Sequence, residues 1–246
     1  MKLYKINYYC ICILVLGFYI SNVKVRASIV SETLCLVNNQ SNKIQKSNHQ
    51  SVKKIMDNAS SLFTNRGGVV IHFKMVNRNS ESMIIASNKG ILKMNHLKYM
   101  LRTEVSQSWY DGLTQWSYLV DTEEVNILNP TNDELMESNP YLFIFSYKNL
   151  FNAKLLKTYA HSECIKNSKS MDFVEFIPKS KDYPYQKIIL SIDKLSYEIK
   201  QMKCFSIDGH VISLTIEQFK TGIKYPAKTF QFEKKLLPNA EVIDLR

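Results

Sequence analysis

Val69-Val70-Ile71-His72-Phe73-Lys74-Met75 is apolar at every odd position, with His72 and Lys74 on the alternate side. Side chains of an extended chain point alternately to two faces, so this period of two predicts a strand with one dry and one wet face. The same period returns far along the chain in Val211-Ile212-Ser213-Leu214-Thr215-Ile216-Glu217, where Ile212, Leu214 and Ile216 alternate with Ser213, Thr215 and Glu217. Between these two runs lie further short candidates: Met83–Ala86, Ile91–Met94, Leu97–Val105, Trp109-Tyr110, Trp116–Val120 and Glu124–Ile127. Leu155–Tyr159, Phe173–Ile177, Lys187–Ile192, Tyr197–Phe205 and Thr229–Phe232 complete the series. Asp111-Gly112 and Asp208-Gly209 are tight-turn signals between neighbouring runs. The pattern predicts a mainly β chain with helices, an α+β fold built on a single curved antiparallel sheet that buries one face.

Two helices are predicted to cover that face. From Ser51, the residues Val52, Ile55, Met56, Ala59, Leu62 and Phe63 recur at three- and four-residue spacing, which makes one amphipathic helix ending near Asn65-Arg66-Gly67. Thr131-Asn132-Asp133-Glu134 is a capping box for a short helix, and Asn139-Pro140 opens another as cap and first helical residue. The second of these runs through Tyr141-Leu142-Phe143-Ile144-Phe145-Ser146-Tyr147 to Phe151 and is apolar all round, so it must be covered on more than one side. It reads either as a core element or as a lid over an apolar cavity, whose natural ligand would be hydrocarbon. Strand parity and the helix together nominate the cavity lining. Ile71, Phe73, Leu92, Met94, Tyr99 and Leu101 come from the first strands, and Trp116 and Tyr118 from the hairpin after Asp111-Gly112. Leu142, Phe143 and Phe145 come from the helix, and Ile188, Leu190, Leu214 and Ile216 from the later strands.

The chain has 246 residues and a formal charge of +10; 45% of it is hydrophobic and 11% aromatic, with 7 Gly and 6 Pro. Such a chain is too apolar for a disordered one and too poor in Gly and Pro for low complexity. Residues 1–27 have the layout of a cleaved secretory signal peptide: Lys2 and Lys5, an apolar run from Tyr8 to Ile20, then Val25-Arg26-Ala27. The alternative is an uncleaved anchor. Tyr9 precedes Cys10, so no lipid attachment is read there. Loss of residues 1–27, with four basic and no acidic side chains, brings the charge from +10 to +6 and leaves Cys35, Cys164 and Cys204, enough for at most one disulfide. The expected organisation is a signal peptide at 1–27, a flexible lead-in at 28–50 and one domain at 51–246.

No arrangement for catalysis stands out. The sequence has no G-x-S-x-G, HExxH or phosphate-cradling glycine loop. His161-Ser162-Glu163-Cys164 places an imidazole near a thiol, but a polar loop accounts for it. Asp121, Glu123 and Glu124 read as a solvated hairpin end rather than a metal site. Basic residues form no stripe, so nucleic acid is not an expected partner. No cofactor or metal is expected.

Several landmarks, in order, resemble the LolA family of periplasmic carriers of outer-membrane lipoproteins, in its Bacteroidetes-type form. They are Tyr110-Asp111-Gly112-Leu113-Thr114-Gln115-Trp116-Ser117-Tyr118, Glu124-Val125-Asn126-Ile127, Asn139-Pro140, Ile192-Asp193-Lys194, Asp208-Gly209 and the ending Pro238-Asn239-Ala240-Glu241-Val242-Ile243-Asp244-Leu245-Arg246. The likeness covers about residues 50–246. It implies an unclosed β-barrel with an α-helical lid, working without catalysis as a monomer in the periplasm. It also implies the partners: acylated lipoproteins, an inner-membrane ABC-type release complex and an outer-membrane acceptor. A lipid- or lipoprotein-sensing regulatory module on the same fold is the alternative. Where proteobacterial members carry an Arg-Pro pair whose arginine holds the lid, this chain has Asn95-His96-Leu97, so His96 is the candidate latch.

Overall fold

The computed structural model describes residues 40–65, 67–131, 135, 143–156, 170–181 and 183–246. The signal-peptide stretch, Cys35, the capping box after Thr131, Pro140, Leu142 and the His161–Cys164 run lie outside these residues.

Helix α1 runs Gln40–Thr64. It begins at Gln40 rather than Ser51, so the last part of the expected lead-in is helical. Val52, Ile55, Met56, Ala59, Leu62 and Phe63 are all buried, as their spacing requires. Gly67, at φ 77°, turns the chain out of the helix in a conformation that favours glycine.

Twelve strands follow among the described residues: β1 Gly68–Arg78, β2 Ile84–Asn95, β3 Lys98–Thr103, β4 Ser106–Tyr110, β5 Gln115–Leu119, β6 Glu124–Leu128, β7 Phe151–Leu156, β8 Met171–Pro178, β9 Tyr185–Asp193, β10 Ile199–Ser206, β11 Val211–Ile223 and β12 Glu241–Asp244. Helix α2, Phe143–Leu150, stands immediately before β7. All twelve strands form one sheet in the order β12-β6-β5-β4-β3-β2-β1-β11-β10-β9-β8-β7. The two quoted stretches that set the period, in β1 and β11, are direct neighbours, from Gly68↔Ile223 to Arg78↔Val211. The sheet is curved and unclosed. Every pairing is antiparallel except β12 on β6, which is parallel.

Three central strands form a long spine, and the flanks attach at opposite ends of it. On one side β3 pairs only with the Gly90–Asn95 part of β2. On the other, β10 pairs only with the Val211–Thr215 part of β11. At Gly90 the spine closes tightly: the Phe73 ring lies across it, and a Cβ there would stand 2.3 Å from the ring. The hairpins are pinned by aspartates. Asp111 Oδ1 accepts from the amides of Leu113 at 3.0 Å and Thr114 at 2.9 Å, and Gly112 takes φ 104°.

Residues 225–240 do not add the strand expected at Thr229–Phe232. They form two short 3-10 turns, Ala227–Phe230 and Lys234–Leu236. This segment lies on the outer face of β3–β6, where Phe230 is 1% exposed and packs with Met100 and Trp109.

Candidate functional site

The inner face of the sheet carries one continuous apolar cluster, shared with both helices. Register shows how the strands build it. Ile71 of β1 faces Leu92 of β2, which faces Leu101 of β3; Met94 faces Tyr99, which faces Tyr110. On the far flank Val174 faces Leu190 and Phe176 faces Ile188. The rows change character at β4. Leu101 is followed by Ser108 and Ser117, and Tyr110 by Gln115. Ser108, Gln115 and Ser117 are all buried, and the Gln115 amide donates to the Ser117 hydroxyl at 3.0 Å. One end of the inner face is therefore hydrocarbon and the other polar.

Helices α1 and α2 fill the hydrocarbon end. Phe143 of α2 stands edge-on to Phe176 at 4.8 Å and to Phe151 at 4.9 Å between ring centroids. Tyr147, one turn on, meets Phe176 at 5.3 Å. Phe145 reaches the other way, to Phe63 of α1 at 6.2 Å, and Phe63 meets Phe219 of β11 at 5.6 Å. Such edge-to-face pairs add about 0.5–1.5 kcal/mol each beyond burial. The polar ties of α2 are few and exposed. Lys148 Nζ reaches Asp57 of α1 at 3.3 Å, and Asp57 also holds Lys53 at 2.5 Å. Lys179 donates to the Lys148 and Leu150 carbonyls from Nζ at 2.7 Å and from its amide at 2.8 Å. The Lys53 ammonium, seconded by Lys148, holds the Asp57 carboxyl below the usual range. Burial, with the Asp57 charge adding, pushes the Tyr147 hydroxyl up to about 12, so it is a neutral donor at any physiological pH.

Ten of the nominated lining residues meet in this cluster as buried side chains: Ile71, Phe73, Leu92, Met94, Tyr99, Leu101, Phe143, Ile188, Leu190 and Leu214. Phe145 and Ile216 pack against it half-buried. Trp116 and Tyr118 do not join them. They point to the outer face, where they pack on Phe232 and Leu237 of the C-terminal segment. The alternation in β5 is real, but its apolar side faces out, because that outer face has a cover of its own. His96 sits exposed in the β2–β3 turn at φ 54°, and its ring has no hydrogen-bond partner among the described residues. The contacts that hold α2 run through Asp57, Lys148, Lys179 and the Phe63–Phe145 pair. Of these, Phe63 and Phe145 were visible as helix-face residues, whereas the Asp57–Lys148 pair joins positions 91 apart and has no local signature.

Among the described residues, α1 and α2 pack directly on the inner face. A separate open cleft of about 390 Å³ lies at the rim, between α1, the β9–β10 turn and β11, lined by residues that include Asn58, Leu62, Leu195, Tyr197, Phe219 and Thr221. Among the described residues no group of His, Cys, Asp and Glu could hold a metal ion. No helix there is long and apolar enough to cross a membrane.

Comparison with known proteins finds the following similarities. Among solved structures, an uncharacterized conserved protein from Thermus thermophilus superposes with a TM-score of 0.52 at 12% identity, over 79% of this chain and 99% of that one. A putative outer membrane lipoprotein-sorting protein domain from Vibrio parahaemolyticus gives 0.40 at 15% identity, over 75% and 97%. A LolA superfamily protein from Nitrosomonas europaea gives 0.39 at 10%, over 73% and 97%. No curated protein matches in sequence. The family model described as outer membrane lipoprotein carrier protein LolA matches residues 41–206, from the start of α1 to the end of β10. With the unclosed sheet and its helical cover in place, the chain belongs to the LolA family of outer membrane lipoprotein carrier proteins.

Proposed function

We propose that the protein is a periplasmic carrier for lipoproteins, which shields their acyl chains against the inner face of its sheet and works without catalysis. In this reading residues 1–27 direct export and are removed. An inner-membrane ABC-type complex loads the carrier, and an outer-membrane acceptor unloads it. The observation that carries the reading is the hydrocarbon end of the inner face, capped by a short helix that is apolar towards the sheet and whose polar ties, among the described residues, are exposed.

The energies are compatible with loading and release. Each buried methylene is worth about 0.8 kcal/mol, so roughly ten methylenes offer about 8 kcal/mol gross. Undocking α2 exposes Phe143, Ile144 and Tyr147, at about 1.5–3 kcal/mol each. The two terms nearly cancel. A cargo therefore displaces the lid with a modest net gain, and a small push from a membrane partner reverses the exchange.

The direct test is retention. Purified protein, mixed with a detergent-solubilised acylated lipoprotein and then stripped of detergent, should hold the lipoprotein in solution and pass it to acceptor membranes. Aggregation of the lipoprotein regardless of the carrier would end this reading. Pull-down from inner-membrane extract separates the alternatives, since a carrier retains an ABC-type complex and a sensor retains a signalling protein.

A further inference from the structure

The rim cleft lies where the sheet is open. β1 pairs with β11 as far as Ile223, but β10 leaves β11 after Thr215. Among the described residues no strand pairs with Ile216–Ile223 on that side. The regular part of this free edge is Gln218–Lys220, which presents outward-pointing N–H and C=O groups; register shifts opposite His72–Phe73 and Gly68–Val70, with Gly222 at φ 80°, break the alternation on either side of it. Glu217, Gln218 and Lys220 along this edge are exposed.

The wall opposite the edge is held rigid. Asp193 Oδ1 accepts hydrogen bonds from the Leu195 amide at 3.0 Å, the Ser196 amide at 2.8 Å and the Ser196 hydroxyl at 3.1 Å. Tyr197 is kept at φ 60°, a left-handed conformation unfavourable for a tyrosine. The turn fixed in this way holds Leu195 out at 90% exposure on the cleft wall. A leucine so exposed on an immobilised turn, beside an unpaired strand, leaves both apolar area and backbone groups unmatched. The floor is continuous with the acyl site, since Leu62 and Phe219 belong to the inner-face cluster. The walls are not those of an acyl pocket, because Asn58, Ser61, Ser196 and Glu198 also line them.

We infer that this open edge of β11 receives the extended polypeptide that follows the acylated residue of a cargo lipoprotein, as an added strand. A backbone edge is complemented by another backbone and not by a lipid headgroup. An apolar side chain of the added strand rests against Leu195 and Tyr197. The inference rests on the carrier reading and extends it, since acyl chains under the lid leave the attached peptide at this rim.

The test uses the full chain and three ligands: a diacylglycerol, a hexapeptide whose N-terminal cysteine carries a diacylglyceryl group, and that lipopeptide N-methylated at alternate residues. The unmodified lipopeptide should bind about tenfold tighter than the diacylglycerol, and only it should slow amide exchange across Gln218–Lys220. N-methylation should abolish both effects. Leu195→Asp should return lipopeptide affinity to that of the diacylglycerol. Equal affinities without protection of the edge, a gain that survives N-methylation, or an undiminished gain in Leu195→Asp each overturn the inference while the carrier reading stands. If none of the acylated ligands binds, the carrier reading falls and takes the inference with it.

Discussion

Phe143→Ala should make the protein bind acyl chains more tightly while making it less stable. Phe143 is 6% exposed and sits in the closest ring contacts of the lid, with Phe151 and Phe176. Truncating a buried phenylalanine costs about 3–5 kcal/mol. If α2 is a lid that the cargo displaces, as the proposed function has it, nearly all of that loss falls on the empty, closed state. Apparent affinity equals intrinsic affinity reduced by the fraction of molecules that are open, and weakening closure raises that fraction. At about 1.4 kcal/mol per factor of ten, the ceiling is about two to three and a half decades, reached only if wild-type closure is at least that strong. A fluorescent fatty-acid titration should show the apparent Kd falling by about tenfold or more, beside a lower urea midpoint. Phe176→Ala supplies the comparison. Phe176 is fully buried in β8 and meets Phe143 and Tyr147, but it also floors the face a cargo would occupy, so its loss falls on both states and should tighten binding less than Phe143→Ala for a similar loss of stability. A folded Phe143→Ala variant with unchanged or weaker binding would show that α2 is a fixed part of the core and no lid.

Gly90→Ala forces the Phe73 ring out of its place and should destabilise by about 1–3 kcal/mol. Phe73→Leu in the same chain should recover part of that loss in a denaturant melt. Both tryptophans, Trp109 and Trp116, lie on the outer face, so a brominated acyl chain bound inside should leave tryptophan emission nearly unquenched; strong quenching would put the ligand on the wrong side of the sheet. Asp57→Asn removes the exposed pairs to Lys53 and Lys148 and should cost under about 1 kcal/mol, with any gain in acyl affinity vanishing at high salt. Asp193 is held below the usual carboxylate range, first by the Ser196 amide. Its folded form therefore binds protons less readily than the unfolded chain. The stability it contributes is fully present above the unfolded pKa and is lost as pH falls through the folded one. Wild type and Asp193→Asn should accordingly differ most in thermal midpoint near neutral pH and converge in acid.

The inner face was legible wherever alternation alone decides burial. In β1, Val69, Ile71, Phe73 and Met75 are buried as their parity demands. Parity cannot say which side of a strand is concave, however, and β5 shows the consequence. Trp116 and Tyr118 alternate with Gln115 and Ser117, yet the polar pair is the buried inner one. The reason lies more than a hundred residues later, where Phe230, Phe232 and Leu237 cover the outer face. The same segment explains the missing strand at Thr229–Phe232, whose aromatics pack as a plug and not as a ladder. Helix α1 was legible where its apolar stripe begins, at Val52, but not over the Ser-, Asn- and Gln-rich turns from Gln40, whose composition favours caps and loops. The lid's polar ties escaped notice because an ion pair between distant helices leaves no mark on local spacing.

The pairing of β1 with β11 joins Gly68 to Ile223, and β12 is laid on β6 by residues 241–244. Such long-range pairing makes folding slow, because loop closure must precede the contacts that reward it. It also ties completion of the spine to the arrival of β11 and of the far edge to residues 241–244. During synthesis this polypeptide has no neighbour for β1 on that side until more than a hundred further residues have been made. An export route that threads unfolded chains across a membrane, as the proposed function supposes, would therefore meet it before the sheet is complete.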